Sequence, residues 1–131
     1  MSGERGREAG GSVFWLVRQD TGAVIAHSVG EAHGRVDRAL GLMLRRPLAP
    51  GEGIWLTPCN GVHTFFMRFA IDVIVLNRDL RTVQVARSVP PWRILIGPRG
   101  GHSTVELAAG TLKDDLPVGT QLAFVRANAS H

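Results

Sequence analysis

The sequence predicts a single α+β domain, mostly β, built as a small barrel-like sheet with one or two short helices. Three observations carry this expectation. The chain has 131 residues, the usual size of one domain, and its 44% hydrophobic content is enough for one core. Short apolar runs recur at strand length between turn-forming Gly, Pro, Asn and Asp. A single segment, Glu31 to Leu44, has a clear helical period.

The elements follow in order. Residues 1–12 are charged, Gly-rich and aperiodic, and read as a tail; 13–126 read as the domain and 127–131 as a C-terminal tail. Val13 to Arg18 is a strand, Gln19-Asp20-Thr21-Gly22 a turn, and Ala23 to Val29 the returning strand. In the helix candidate, Val36, Leu40, Met43 and Leu44 fall on one face, and Pro47 and Pro50 end it. From Gly53 the period becomes strand-like: Ile54 to Leu56, Phe65 to Phe69, Val73 to Leu76 and Thr82 to Val89, with a turn at Asn77-Arg78-Asp79. Pro90 to Gly101 is a looser stretch, and Thr104 to Ala108 and Gln121 to Val125 are the last strands.

Composition excludes several classes. No basic head with an apolar stretch opens the chain, and no run approaches the ~18 apolar residues of a membrane span, so the expectation is a cytoplasmic protein without a membrane segment. Cys59 is the lone cysteine, which rules out an internal disulfide and fits a reducing compartment. The formal charge is +4, but the basic residues are scattered arginines with Lys113 the single lysine, which argues against a nucleic-acid footprint.

Chemistry concentrates between Pro58 and Leu76. Cys59, His63 and Asp72 bring a thiol, an imidazole and a carboxylate into one stretch. If Phe65 to Phe69 is a strand, His63, Phe65, Met67 and Phe69 share one face, and Thr64, Phe66 and Arg68 the other. Asp72 lies in an apolar strand, where a charge needs a partner; Arg68, Arg93 and Arg99 are candidates. Glu106, between Val105 and Leu107, poses the same problem. Either carboxylate is explained by a structural ion pair or by capping of loop amides, or the two line a pocket. The Cys59-x3-His63 spacing is a weak metal signal, with Asp72, Glu106, His102 or His33 as a third ligand. A Cys59–His63 nucleophile and base lacks a recognisable oxyanion hole, and an inert buried thiol fits better. Gly97 to Ser103 lacks the pattern of a phosphate loop.

Several motifs resemble a known family. Arg38-Ala39-Leu40-Gly41-Leu42-Met43-Leu44-Arg45-Arg46-Pro47-Leu48 resembles the R-x-x-G-L-x-x-R-x-x-L signature of the domain of unknown function 192 (UPF0127-like) family. The resemblance continues through Gly51 to Leu56, Pro58-Cys59, the block His63 to Met67, Ile71-Asp72-Val73 and Val105 to Thr111, and spans residues 13 to 125. It implies a compact, β-rich, barrel-like fold and no established activity. Ala70 and Ala108 stand where that family usually has proline, which leaves the polar positions intact.

The leading expectation is therefore a non-catalytic binding or accessory domain, without a cofactor, whose pocket is formed by Cys59, His63, Met67, Asp72, Arg93 and Glu106. Its partner would be a small ligand or a protein. The alternatives are a small metal- or thiol-dependent hydrolase and a nucleic-acid accessory protein, the latter recognisable by affinity that falls steeply with salt.

Overall fold

Apolar-rich runs of strand length, with turns between, form nine strands in the computed structural model, which describes residues 13–33, 47–64 and 67–127. They are β1 (Val13–Arg18), β2 (Val24–His33), β3 (Glu52–Thr57), β4 (Gly61–His63), β5 (Ile71–Leu76), β6 (Thr82–Val89), β7 (Ile94–Ile96), β8 (Ser103–Ala108) and β9 (Leu122–Arg126). Seven form one sheet in the order β6-β5-β8-β3-β2-β1-β9, antiparallel except for the β2–β3 pair. The other two, β4 and β7, form a separate antiparallel ribbon.

Every residue of β5 and β8 is buried, because both faces of the sheet's centre are covered. Directly paired residues share a face, so the register assigns the side chains. Ile74, Leu76, Val105 and Leu107 pack with Leu16, Val29 and Leu122 on the first face. Ile71, Val73 and Val75 pack with Leu56, Val62 and Met67 on the second.

The expected α+β barrel is corrected on both counts. Among the described residues there is no helix, and none is long and apolar enough to cross a membrane. Glu31, Ala32 and His33 extend β2, paired in parallel with Trp55, Leu56 and Thr57, because ladder bonds outweigh a local helical period. The rest of the expected helix, 34–46, lies outside the described residues. The sheet is also open. Its edges β6 and β9 meet through one bridge, Arg81 with Gln121, and flanking backbone bonds from Thr82 N to Thr120 O (3.0 Å) and Leu122 N to Leu80 O (3.0 Å). Beyond that point the 110–116 loop occupies the gap and contributes Leu112 and Leu116 to the first core, so a β6–β9 ladder does not form.

Of the expected strand Phe65 to Phe69, residues 65–66 lie outside the described set, and residues 67–69 form no strand; Met67 N donates to Thr64 O (3.2 Å). Thr64 draws the chain away from an extended path: its hydroxyl donates to Pro90 O (2.7 Å) and accepts from Arg93 N (2.8 Å). No local sequence pattern marks the ribbon, which depends on Gly61. That residue has φ 106°, and an added Cβ would collide with Leu95 O. Gly61→Ala is expected to cost about 2–3 kcal/mol, from a strained dihedral and a displaced ribbon, measurable by urea unfolding.

Candidate functional site

Glu106 sits at the centre of β8, opposite Val73 on β5 and Ile54 on β3. Its side chain therefore enters the second face, among Ile71, Val73, Val75 and Leu56. The residue is 1% exposed, and among the described residues neither carboxyl oxygen meets a hydrogen-bond donor. Removal from water penalises the charged form and pushes the carboxyl pKa up to about 8. At neutral pH the group thus holds its proton: a neutral acid with one O–H to donate and apolar walls around it.

Thr104, two positions earlier on β8, shares this face and fixes what lies above it. Its hydroxyl donates to Cys59 O (2.8 Å) and accepts from Gly61 N (3.0 Å). Cys59 N donates to His102 O (2.8 Å), so the loop before β4 is pinned to the start of β8. The half-buried Cys59 packs against the second core, and its thiol donates to Gly61 O (2.9 Å). Burial pushes the thiol pKa up, and negative charge on Glu106 would add to that rise. Met67 is buried in the same cluster. Cys59, Met67 and Glu106 are thereby brought to one face, beneath the β4–β7 ribbon.

The other expected members are placed differently. Asp72 lies opposite Leu107, so it projects from the first face while Glu106 projects from the second. It accepts backbone hydrogen bonds from Ser88 N (2.8 Å) on one oxygen, and from Gly110 N (3.1 Å) and Leu112 N (3.0 Å) on the other. Backbone amides thus fill the partner role for which Arg68, Arg93 and Arg99 were candidates; all three are exposed. Arg93 immediately precedes β7. In the ribbon Val62 enters the core, so its neighbour His63, opposite Ile94, takes the alternate side. Among the described residues no three His, Cys, Asp or Glu side chains gather into a possible metal site, and the side chain of His33 lies outside that set.

One feature carried no motif: a half-open cleft of about 530 Å³ between the β1–β2 turn and the 110–116 loop, lined by Arg18, Ile25, Thr111, Leu112, Lys113 and Leu116. Its wall is held by guanidinium groups on backbone carbonyls. Arg18 Nη1 donates to Asp115 O (2.8 Å), Arg87 Nε to Leu112 O (3.0 Å) and Arg87 Nη2 to Asp114 O (2.6 Å). Such contacts leave no spacing signature, because the acceptors are main-chain atoms.

Comparison with known proteins gives consistent matches. The DUF192 model, described as "Uncharacterized ACR, COG1430", matches residues 16–124. UPF0127 protein PF1050 of Pyrococcus furiosus is 34% identical over 113 residues, covering 80% of this chain and 93% of that protein. UPF0127 protein PH1112 of Pyrococcus horikoshii is 39% identical over 88 residues, 54% of this chain and 72% of the relative. Two crystal structures share the fold. A protein of unknown function from Novosphingobium aromaticivorans has TM-score 0.70 at 20% identity, covering 86% of this chain and 84% of that one. A putative transcription regulator from Sinorhizobium meliloti has TM-score 0.68 at 23% identity, covering 86% and 92%.

Proposed function

The chain belongs to the uncharacterised DUF192 (UPF0127) family, and within it we propose that this domain is a binding module of the cytoplasm rather than an enzyme. The observation that carries the reading is Glu106. A carboxyl group only 1% exposed among Val and Ile side chains, with no donor on either oxygen among the described residues, is costly for folding alone. A ligand that offers an acceptor to the neutral acid, and apolar or soft surface to Met67 and Cys59, would offset that cost. The pocket proposed is Glu106, Cys59 and Met67, with His63 and Arg93 at its ribbon cover and Asp72 as the brace on the opposite face. The free Cys59 thiol fits a reducing compartment.

A thiol-dependent hydrolase is disfavoured by the same geometry. Burial raises the Cys59 pKa and the thiol is engaged by Gly61 O, the opposite of an activated nucleophile. Alkylation of Cys59 by iodoacetamide at pH 7.5 is expected to run at least about tenfold slower in the folded protein than in urea. Equal or faster labelling when folded would return the thiol to a catalytic role.

Native mass spectrometry of untagged protein from its own host, with and without chelator, tests the binding reading. The expected result is an extra organic mass, insensitive to chelator and absent from Glu106→Leu. Mass removed by chelator and by Cys59→Ser would favour a metal site. A bare apoprotein in every preparation would sink the pocket.

A further inference from the structure

The β4–β7 ribbon, apart from covering the Glu106 face, presents an outer edge that pairs with no strand among the described residues. Thr64 N donates to Arg93 O (2.8 Å) and Gly97 N donates to Asn60 O (3.3 Å). In an antiparallel ladder bonds to the partner recur at every second residue. Leu95, opposite Val62, is therefore the bonded position between those two pairs, while Ile94 and Ile96 direct their N–H and C=O groups away from β4. Among the described residues no strand pairs with that outer edge. The side chains along it are apolar and exposed: Ile94 at 63%, Ile96 at 77%, and Trp92, just before the strand, at 57%. Trp92 holds a left-handed backbone (φ 65°), its N–H donating to Thr64 O (3.0 Å).

Such an edge is ordinarily blunted by charge, proline or a bulge. Here the ribbon strands and the segments that border them in sequence, 60–64 and 90–99, contain no Asp and no Glu, while Arg93 and Arg99 on either side of β7 are exposed.

We infer that the outer edge of β7 is a docking strand for an extended acidic segment of a partner protein, in which Asp or Glu alternates with aliphatic residues. Its main chain adds a third strand at Ile94 and Ile96. Its aliphatic side chains lie beside Trp92, Ile94 and Ile96, and its carboxylates face the arginines. An edge whose outward main-chain groups pair with no strand among the described residues selects a polypeptide, since a lipid surface supplies no ladder of donors and acceptors.

The test is selection from a displayed library of random twelve-residue peptides against the full chain, with Ile94→Ser/Ile96→Ser as counter-target. These side chains are exposed, so the double variant is expected to keep the wild-type circular dichroism. Enriched peptides should alternate acidic and aliphatic residues. They should lose at least about tenfold in affinity when alternate amides on one edge are N-methylated, and a similar factor against Arg93→Glu/Arg99→Glu. Three outcomes overturn the inference: no enrichment over the counter-target, enriched peptides indifferent to N-methylation, or binding to phosphatidylserine vesicles but to no peptide, which would assign the patch to a membrane surface.

Discussion

Raising the pH from about 4.5 to about 8 is expected to remove several kcal/mol of stability from this protein, and Glu106→Gln is expected to abolish that loss. The Glu106 carboxyl has its pKa raised from 4.5 to about 8 in the folded state. Between those values the unfolded chain has released the proton and the folded chain still holds it. Folding then requires proton uptake, and stability falls as pH rises, by ~1.4 kcal/mol per unit. The contribution is fully present below pH 4.5 and gone above about 8. Desolvation is the cause, and the residue is 1% exposed, so little solvent screening reduces the effect. Gln keeps the size of the side chain and removes the titration. Urea unfolding of both proteins at several pH values from 4.5 to 8.5 should show two curves that nearly coincide at the acid end. They should diverge by about 3–5 kcal/mol at the alkaline end, a large share of the 5–15 kcal/mol typical of a domain. Parallel curves would mean that a donor or water reaches the carboxylate, and that Glu106 needs no ligand to satisfy it.

The sequence marks both carboxylates as requiring explanation, because each interrupts an apolar strand, and it leaves open whether each is paired or caps amides, or whether the two share a pocket. What separates them is register. Asp72 opposes Leu107 and Val73 opposes Glu106, a matter of strand pairing across more than thirty residues of chain that no local pattern encodes. Where alternation is long and bounded by turns, the reading holds: β1 and β6 have the expected limits, Val13–Arg18 and Thr82–Val89. The ribbon strands Gly61–His63 and Ile94–Ile96 are three residues each, too short to establish a period, and β7 follows Pro90-Pro91, which reads as loop. The helix expected from Glu31 fails at its start because β3 offers β2 a continuing parallel ladder. A barrel is expected from the number and spacing of the strands and from the family resemblance, neither of which fixes whether the edges pair. The gap between β6 and β9 is filled by a loop whose anchors are arginines bound to main-chain carbonyls, and composition is silent about such contacts.

Asp72→Ala is expected to destabilise the protein by about 3–5 kcal/mol, through the amides it abandons. The β5–β6 register shifts between Ile71 and Val73: Ile71 pairs with Val89 and Val73 with Ala86, leaving Arg87 and Ser88 as a bulge. Ser88 there has φ 50°, a conformation a serine holds only under external constraint, and its N–H donates to Asp72. The other Asp72 oxygen receives Gly110 and Leu112, while Arg87 from the same bulge binds the carbonyls of Leu112 and Asp114. One carboxylate thus joins the strand, the bulge and the loop that walls the cleft. Without it, three N–H groups lose a charged acceptor, one of them in a fully buried bond. Asp72→Asn should recover little, since its amide nitrogen would face a donor. Hydrogen exchange supplies the local readout: the Ser88, Gly110 and Leu112 amides should lose protection in Asp72→Ala well before the amides of β5 and β8. A loss below about 1 kcal/mol with those amides still protected would show that water replaces the carboxylate, and that the bulge and loop hold their shape without it.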